Sequence, residues 1–514
     1  MNNPSPLDEG DNAVALGQNL GRRTLSGTFW LLAGKFFRQF LFLGRAVILG
    51  RLLSPHDFGL AGIGLLAIQL LGILTYSGFG EALIQRPRLS PRVLHTAWWV
   101  TLVRSALIAA VLWFCAPIIA RYFEEPAATT ILQGLAVVQF LGGLPSIGVT
   151  LLQKDMKFRD LFQLDAWGLA MDFLVAIIAA LIWRNAWALV LGAGAGTLTR
   201  VIVSYILYPY QPRLVFDGQA ARELFHFGRW LLLGATFYFL ISKGTDMMSG
   251  MIFGAAALGL YQMASRFALL PSNHFADMFH QVLFPAYSQM QDDPEKLKMA
   301  FLKVLQVATL IIFPLCALMA VAVGPVLPLF LGSKWQAVVS LVPGLVVGGA
   351  VQALLLTGAP LFYSAGKPNR GFAMDFFSAL GIFLCVYPLS HLFGLQGLSW
   401  SYALGILLGI PLWWRFVRQQ VQVSGRDLLT CIVPSLVASV LLAGFIWLPV
   451  EIYQVPLTNW SALGWIALLG VAGSVFYLLL ILLTESLLPG YQPLWASRAL
   501  LAPIWRGKAD APSQ

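Results

Sequence analysis

Apolar stretches of roughly 20 residues recur along almost the whole chain, each long enough as a helix to cross a hydrocarbon core about 30 Å thick. They lie near residues 25–50, 57–84, 93–117, 128–152, 161–183, 186–208, 224–252, 257–285, 299–331, 337–364, 371–392, 395–417, 428–448 and 462–487. The longest connections are 209–223, 286–298, 418–427 and 449–461. These connections leave no room for a separate soluble domain.

The composition excludes a soluble globular protein. Of 514 residues, 58% are hydrophobic and 11% are charged, and the mean hydropathy is +0.75. Such values are typical of helical membrane proteins. We therefore predict an all-α polytopic membrane protein with about 14 transmembrane helices, a count that follows from the span length.

Positive charges outside the spans indicate the orientation. If the N-terminus is cytoplasmic, the short outer connections carry only Arg51, Arg121, Arg184 and Lys334. All other Lys and Arg residues outside the spans then face the cytoplasm. Lys and Arg in short loops favour the cytoplasmic side. We expect both termini to be cytoplasmic and the number of spans to be even. This bias also accounts for the net charge of +10, so no nucleic-acid partner is needed.

The chain resembles itself at an offset of 200 residues. In that comparison Gly50, Gly59 and Leu60 match Gly250, Gly259 and Leu260. Six spans separate the two segments, so the repeat preserves orientation, as in a parallel repeat. We expect two six-helix lobes facing each other across a cavity. The predicted domains are a cytoplasmic tail (1–23), an N-lobe (24–208), a cytoplasmic linker (209–223), a C-lobe (224–418), two C-terminal helices (427–488) and a second tail (489–514).

Cations occur inside the predicted spans, where each costs about 2.5 to 3.5 kcal/mol on insertion scales and usually marks a pathway. They are Lys35, Arg38, Arg45, Arg104, Arg200, Arg229, Lys243, Arg266 and Lys303. These residues indicate an anionic cargo. The candidate binding residues are Arg38, Arg45, Arg104, Arg200, Arg229, Lys243 and Arg266. Lys35, Arg229 and Lys303 lie close to cytoplasmic ends, where snorkelling explains them equally well.

Helical periodicity gathers the charged residues onto faces. At about 100° per residue, Lys35, Arg38 and Arg45 share an arc of about 80°. In the seventh span, Arg229, Lys243 and Asp246 share about 100°, and the eighth span has a stripe of about 60°. That stripe consists of Gln262, Arg266, Asn273, Asp277 and His280. We expect Gln262, Asn273 and His280 to line a polar cavity.

Acids within the spans raise the question of ion coupling. Asp172, Asp246 and Asp277 are candidates for carrying a proton or sodium ion, and Asp246 is the best of them because it ends the polar face of its span. The alternative is structural pairing, in which Arg104 or Arg200 pairs with Asp165 or Asp172. No other cofactor and no metal site are expected, since no Cys or His spacing suits one.

Four motifs resemble one known family. They are RLLSPHDFG (51–59), GFGEALIQRPRLS (78–90), LGLYQMASRF (258–267) and VLFPAYSQM (282–290). They resemble the Wzx-type flippases, the polysaccharide-transporter branch of the multidrug/oligosaccharidyl-lipid/polysaccharide exporter superfamily. The resemblance extends from about residue 24 to residue 420.

The resemblance implies a multi-pass protein of the bacterial cytoplasmic membrane. Such flippases turn undecaprenyl-pyrophosphate-linked oligosaccharide repeat units toward the periplasm by alternating access, for O-antigen, capsule or exopolysaccharide assembly. The implied partners are the lipid-linked oligosaccharide, membrane lipid, a polysaccharide polymerase and a chain-length regulator.

Three alternatives stay open. In the related peptidoglycan-precursor (lipid II) flippases an acid follows the arginine that matches Arg45, whereas Ala46 follows it here. A cation-coupled multidrug exporter of the same superfamily would favour acidic cavities. A membrane polymerase or ligase would need a large periplasmic loop, and the longest outer connection, PVEIYQVPLTNWS, carries one acid, Glu451. We therefore do not expect an enzyme.

Overall fold

The structure is a computed structural model that describes residues 30, 33–75, 83, 90–155, 157–213, 218–452 and 461–487. At most the backbone is described for residues 218–235, 238, 274–282, 325, 450–463, 466 and 487. The predicted tails, 1–23 and 489–514, lie outside these ranges, as does most of the motif at 78–90.

All regular secondary structure in the described ranges is helical, which confirms the all-α prediction. The first helices are α1 (33–52), α2 (Pro55–Leu74), α3 (Pro91–Tyr122), α4 (Ala128–Leu141), α5 (Gly148–Lys154), α6 (Phe158–Trp183) and α7 (Trp187–Leu207). They are followed by α8 (Gly218–Ala268), α9 (Leu270–Gln289), α10 (Pro294–Leu331), α11 (Val342–Leu356), α12 (Ala359–Ser364), α13 (Pro368–Leu407), α14 (Ile410–Val421), α15 (Gly425–Ile452) and α16 (Ser461–Leu487). Short helical turns at Ser333–Trp335 and Gln336–Val339 connect α10 to α11.

Within the described ranges, 10 segments are long and apolar enough to cross a membrane, so the chain is a multi-pass membrane protein. The number is lower than the predicted 14 for physical reasons. Helix α1 carries several cations, and the fourth predicted span is divided into α4 and α5. Two pairs of predicted spans are joined into continuous helical segments.

The joined segments break at glycines with positive φ. Gly254 in α8 has a φ of 82°, and Gly394 in α13 has a φ of 57°. Residues other than glycine rarely adopt such backbone angles. Gly254 lies between the seventh and eighth predicted spans, and Gly394 lies between the eleventh and twelfth. Each break is therefore where one predicted span ends and the next begins.

The corresponding break near the start of the chain is made by a capping residue. Ser54 precedes α2, and its Oγ accepts the N–H of Asp57 at 3.2 Å. The Asp57 carboxylate accepts the N–H of Ser54 at 2.9 Å, which completes a capping box. Ser54 and Gly254 are 200 residues apart, the same offset as the sequence repeat.

The chain divides into two compact units, Met1–Thr236 and Phe237–Gln514. In the second unit the C-terminal helices pack on α10. The buried Thr309 hydroxyl donates to the carbonyl of Cys431 on α15 at 3.2 Å. The Tyr477 hydroxyl on α16 donates to the carbonyl of Leu310 at 3.0 Å. Helices α15 and α16 therefore belong to the second unit.

Candidate functional site

Helices α1 and α6 of the first unit lie side by side and run in the same direction. The ring of Phe162 on α6 contacts Phe37 on α1 at a centroid distance of 5.8 Å. Farther along, a Cβ added at Gly44 would meet the Phe173 ring at 3.5 Å. The two contacts join residues 125 and 129 positions apart, and a nearly constant difference of this kind indicates that the two helices are parallel.

This register brings cations of α1 against acids of α6. Arg38 pairs with Asp165 at 2.7 Å, and Arg45 pairs with Asp172 at 3.0 Å. The two partners in each pair are 127 residues apart. Each helix spaces its charges by seven residues, or about 10 Å along the axis. The result is two charge layers, the Asp165 layer and the Asp172 layer.

The Asp165 layer contains a third member from α7. Asp165 Oδ2 accepts from Arg38 Nη2, while Asp165 Oδ1 accepts from Arg200 Nη2. One carboxylate thus bridges two guanidinium groups. The side chains of Arg38 and Arg200 are 61% and 51% exposed, and that of Asp165 is 27% exposed. Both arginines therefore retain N–H donors that an incoming group can reach.

The Asp172 layer is more enclosed, and its hydrogen bonding is incomplete. The side chains of Arg45 and Asp172 are 26% and 17% exposed. Their charged atoms lie 3.0 Å apart but are not aligned as a hydrogen bond. Within the described residues, Arg45 Nε and Asp172 Oδ1 are buried with no hydrogen-bond partner. Arg45 therefore offers a buried N–H donor, and such a donor is costly to leave unmatched.

Close packing of α6 against α7 positions both layers. A Cβ at Gly196 of α7 would approach Asp172 Cβ to 2.7 Å, and one at Gly192 would approach Asp172 Oδ1 to 2.7 Å. A Cβ at Gly168 of α6 would overlap the stem of Arg200 and approach the Gly196 carbonyl at 3.2 Å. These glycines let the two backbones approach closely, as small residues do between membrane helices. Gly168 also leaves room for the Arg200 side chain to lie along α6 and reach Asp165.

Arg104 lies elsewhere in the first unit and has different partners. Its Nη2 donates to the carbonyl of Gly72 at 2.8 Å, and its Nε donates to Thr75 Oγ1 at 3.2 Å. Both acceptors lie at the C-terminal end of α2, where unpaired carbonyls and the helix dipole favour a cation. Through these two contacts Arg104 caps the C-terminal end of α2.

The second unit holds a smaller group of charges on α8. Lys243 Nζ pairs with Asp246 Oδ2 at 3.1 Å, and the Asp246 side chain is only 2% exposed. Arg266 lies on the part of α8 that follows the break at Gly254. It has a favourable electrostatic interaction with the same carboxylate. Two cations thus accompany one buried carboxylate, and acids inside membrane proteins are typically paired in this way.

The predicted stripe of the eighth span is divided in the structure. Helix α8 ends at Ala268 and α9 begins at Leu270, with Pro271 in its first turn. A helical wheel therefore applies to each half separately, because Leu269 interrupts the helix between Arg266 and Asn273. Gln262 is half-buried and Asn273 is exposed. The side chains of Arg229, Asp277 and His280 lie outside the described residues.

Arg38, Arg45 and Arg200 are helical in the structure, but the sequence does not match all of them to their partners. Asp165 was considered as a partner of Arg200, and its pairing with Arg38 was missed. The signal was present, because Arg38 and Arg45 have the same seven-residue spacing as Asp165 and Asp172. The role of Gly168 cannot be predicted from the sequence either, because it depends on which side chain of the neighbouring helix lies against this glycine.

Comparison with known proteins gives a consistent result. Residues 48–340 match the protein family described as "Polysaccharide biosynthesis protein". The chain is 25% identical over 338 residues to the lipopolysaccharide biosynthesis protein WzxC of Escherichia coli (strain K12), covering 65% of this chain and 69% of WzxC. It is 29% identical over 331 residues to the succinoglycan biosynthesis transport protein ExoT of Rhizobium meliloti (strain 1021), covering 63% of this chain and 64% of ExoT.

A third relative and two solved structures extend the comparison. The teichuronic acid biosynthesis protein TuaB of Bacillus subtilis (strain 168) is 22% identical over 389 residues, covering 75% of this chain and 80% of TuaB. The lipid II flippase MurJ in an inward closed conformation aligns with a TM-score of 0.68 at 13% identity, over 93% of this chain and 100% of MurJ. An inward-facing multidrug resistance transporter of the MATE family aligns with a TM-score of 0.59 at 15% identity, over 75% of this chain and 95% of that one. These two likenesses show a fold of the MurJ and MATE type.

Proposed function

Because the chain belongs to the polysaccharide biosynthesis protein family, the Wzx-type branch of membrane transporters, we propose that it is a flippase for a lipid-linked oligosaccharide. Its substrate is an undecaprenyl-pyrophosphate-linked repeat unit, carried across the bacterial cytoplasmic membrane for exopolysaccharide, O-antigen or capsule assembly. The named relatives support this reading, since WzxC, ExoT and TuaB each serve the biosynthesis of a different polysaccharide.

The observation that carries the proposal is the arginine cluster of the first unit. Arg38, Arg45 and Arg200 face two acids, so the two layers together retain one positive charge. Among the residues that the structure describes, Arg45 Nε has no acceptor and is buried. A diphosphate supplies negative charge and many acceptor oxygens, and guanidinium groups bind such oxygens in a bidentate manner. The cluster thus fits the chemistry of the substrate's anionic head.

We assign the remaining candidate residues by their surroundings. Lys243 and Arg266 of the second unit, together with Arg229, are further cations for the anionic head, and Gln262, Asn273 and His280 offer hydrogen bonds to sugar hydroxyls. Asp246 is the candidate for proton or sodium coupling, ahead of Asp172 and Asp277, because it is buried beside Lys243. Arg104 acts as a cap for α2 and does not bind substrate in this proposal.

We also propose the full membrane arrangement. The chain crosses the membrane 14 times, with α1, the α4–α5 segment and the two halves of α8 and α13 counted as spans of their own. The breaks at Gly254 and Gly394 support this count, since each separates two apolar stretches of span length. Two six-helix lobes (24–208 and 224–418) joined by the linker 209–223 precede the C-terminal pair (427–488), and both termini are cytoplasmic.

The proposal includes its assembly context. A flippase of this kind delivers repeat units to a polysaccharide polymerase acting with a chain-length regulator. The supplying reactions on the cytoplasmic face are transfer of a sugar 1-phosphate from a nucleoside-diphosphate sugar onto a lipid phosphate, with release of a nucleoside monophosphate, and glycosyl transfers that extend this sugar.

Leaflet sidedness tests the function directly. In cells lacking the gene, lipid-linked oligosaccharide should accumulate on the cytoplasmic face and surface polysaccharide should be lost. Re-expression of the wild-type chain should clear the lipid, whereas Arg45→Ala should not. Arg121→Ala is the matched control, because Arg121 is an exposed cation in the last turn of α3 in the same unit.

Three outcomes would contradict the proposal. If lipid II accumulates instead, the peptidoglycan-precursor reading replaces it. If the oligosaccharide lipid reaches the outer leaflet unpolymerised, the polymerase or ligase reading does. If no lipid-linked sugar changes and sensitivity to cationic drugs rises, the multidrug exporter is favoured.

A further inference from the structure

We propose that Asp165 is an internal counter-anion that the substrate's diphosphate displaces from Arg38 and Arg200. By returning to the two arginines, Asp165 then promotes release of the substrate. This inference rests on the proposed function, and it makes Asp165 a positioning residue that controls how tightly the arginines hold the diphosphate.

The geometry of the layer supports this role. Asp165 presents one oxygen to each of two guanidinium groups that come from different helices, α1 and α7. A phosphoryl group binding the same two arginines would also place one oxygen on each. The carboxylate therefore occupies the position that a phosphate of the substrate requires.

Exposure distinguishes Asp165 from Asp172. The Asp165 layer has half-exposed arginines, whereas the arginine of the Asp172 layer is 26% exposed. An incoming anion can therefore reach Arg38 and Arg200 while Asp165 still holds them. The exchange therefore needs no intermediate in which the two arginines have no counter-anion.

Charge balance explains why the exchange is needed. Two arginines and Asp165 leave one positive charge. A diphosphate diester carries two negative charges, so the layer would become net negative if Asp165 stayed in place. Once Asp165 withdraws, two cations face two anionic phosphates. After release Asp165 again pairs with both arginines and lowers their net charge from two to one, since cations without a counter-anion are costly within a membrane.

The surrounding helices keep Asp165 close enough to compete. Gly168, three residues further along α6, lets the stem of Arg200 lie against the helix that carries Asp165. Arg200 therefore stays beside α6 whether or not its guanidinium group is bound to the carboxylate. Both anions thus remain within reach of the same cation.

Asp165→Asn tests the proposal, with inorganic pyrophosphate as the probe and calorimetric titration of the purified full-length protein as the measurement. Loss of the competing charge should tighten pyrophosphate binding about five- to tenfold, the effect of removing one like charge at several ångströms in a partly solvated site. In cells, the same variant should slow polysaccharide export, because release becomes slower. A residue that only supports the fold would weaken binding when it is replaced, so tighter binding with slower export separates the two roles.

Two control variants make the same measurement specific. Asp160→Asn removes the same charge from α6 five residues earlier, about 140° around the helix, and should leave binding unchanged. Asp165→Glu keeps the charge and should bind pyrophosphate within about twofold of the wild type, since the coulombic competition is retained.

The outcomes separate this inference from the proposed function. If neither the wild type nor Asp165→Asn binds pyrophosphate, the arginine cluster is not a diphosphate site and the proposed function loses its support. If both bind with equal affinity, the diphosphate site stands and the counter-anion role is wrong. An Asp165→Asn protein that does not fold would also overturn it, because an anion displaced in every cycle must be dispensable for folding.

Discussion

At the scale of single residues, the Arg45–Asp172 pair combines structure and binding in one contact. Removing one partner of a buried ion pair costs about 3 to 5 kcal/mol, because the remaining charge is left uncompensated. Arg45 and Asp172 are partly exposed, so the cost here should be smaller. A single substitution therefore lowers stability and transport together, and it cannot separate the two effects.

We expect the double substitution Arg45→Gln with Asp172→Asn to separate them. Both charges are removed, so the melting temperature should return to near the wild-type value from the lower value of Arg45→Gln alone. Transport should stay absent, because the guanidinium group is missing. Melting of the purified protein and surface polysaccharide in cells are the two measurements.

Arg45→Lys provides the complementary control, since it keeps the charge and loses the bidentate fork. It should recover only part of the transport.

Full transport in the double variant, Arg45→Gln with Asp172→Asn, would show that Arg45 serves only to neutralise Asp172.

Asp293 gives a pH-dependent prediction outside the membrane-spanning segments. Its carboxylate accepts the N–H of Lys296 at 3.1 Å and pairs with Lys296 Nζ at 2.9 Å, capping α10. The side-chain contact with Lys296, followed by the backbone N–H, lowers the pKa of Asp293 below its usual 3.8. A lowered pKa means that the capping stabilisation is complete above the unfolded value and is lost as the pH falls through the folded one.

Amide exchange in residues 295–298, corrected for intrinsic rates, should therefore be constant between pH 5 and 7 (about one unit or more above the usual Asp pKa) and rise below about pH 4. Asp293→Asn keeps an acceptor but no titratable charge, so its exchange should not change with pH in this range. An identical acid response in the variant would assign the effect to another group.

At the scale of helices, the effect of a glycine-to-alanine substitution in α6 or α7 depends on which glycine is replaced. Gly168→Ala should force the Arg200 stem away from α6, because the added Cβ overlaps it. Overpacking of this kind costs about 1 to 3 kcal/mol. Polysaccharide export should be strongly reduced while the melting temperature falls only moderately, because Arg200 no longer lies beside Asp165.

The matched control is Gly194→Ala on α7, where the added Cβ meets Val138 Cγ2 at an ordinary 3.5 Å. Melting temperature and polysaccharide export should both stay close to the wild type. Equal losses in the two variants would mean that helix propensity, not the position of Arg200, determines the effect.

The helices were largely predictable from sequence, because span length and apolar composition are local properties. The predicted ends of the seventh and eleventh spans lie within two residues of Gly254 and Gly394. Partners were less predictable. The pairing of Arg38 with Asp165 depends on the register between α1 and α6, which joins residues 127 positions apart. Arg104 shows the same limit, since its acceptors are a backbone carbonyl and a hydroxyl, which have no charge signature in the sequence.

At the scale of the whole molecule, the alternation of the connections tests the proposed 14 spans. Glu124 and Ser333 should face the periplasm, whereas Asp292 and Lys367 should face the cytoplasm, and all four are exposed. Single cysteines at these positions, in a chain from which Cys115, Cys316, Cys385 and Cys431 have been removed, can be labelled in intact cells. A membrane-impermeant maleimide should label only the first two.

Labelling from outside at Asp292→Cys, with none at Glu124→Cys, would show that the orientation is the reverse of the proposed one. Labelling of Glu124→Cys together with Lys367→Cys would show an even number of crossings between them, contrary to the predicted seven.

The two halves of the chain stop their first long helix differently, and this gives them unequal tolerance to mutation. Ser54 can be exchanged for other capping residues, since Ser, Thr, Asp and Asn all cap helices. Gly254 has open space around it, so packing places no limit on its side chain, yet its φ of 82° restricts the position to glycine. Neutral drift can therefore alter the sequence of the first turn while leaving its geometry intact, whereas the second turn is held to one residue type. Halves that diverge under these rules retain one bend while the residues around it change, and of residues 51–59 only Gly59 is identical to its counterpart 200 positions later.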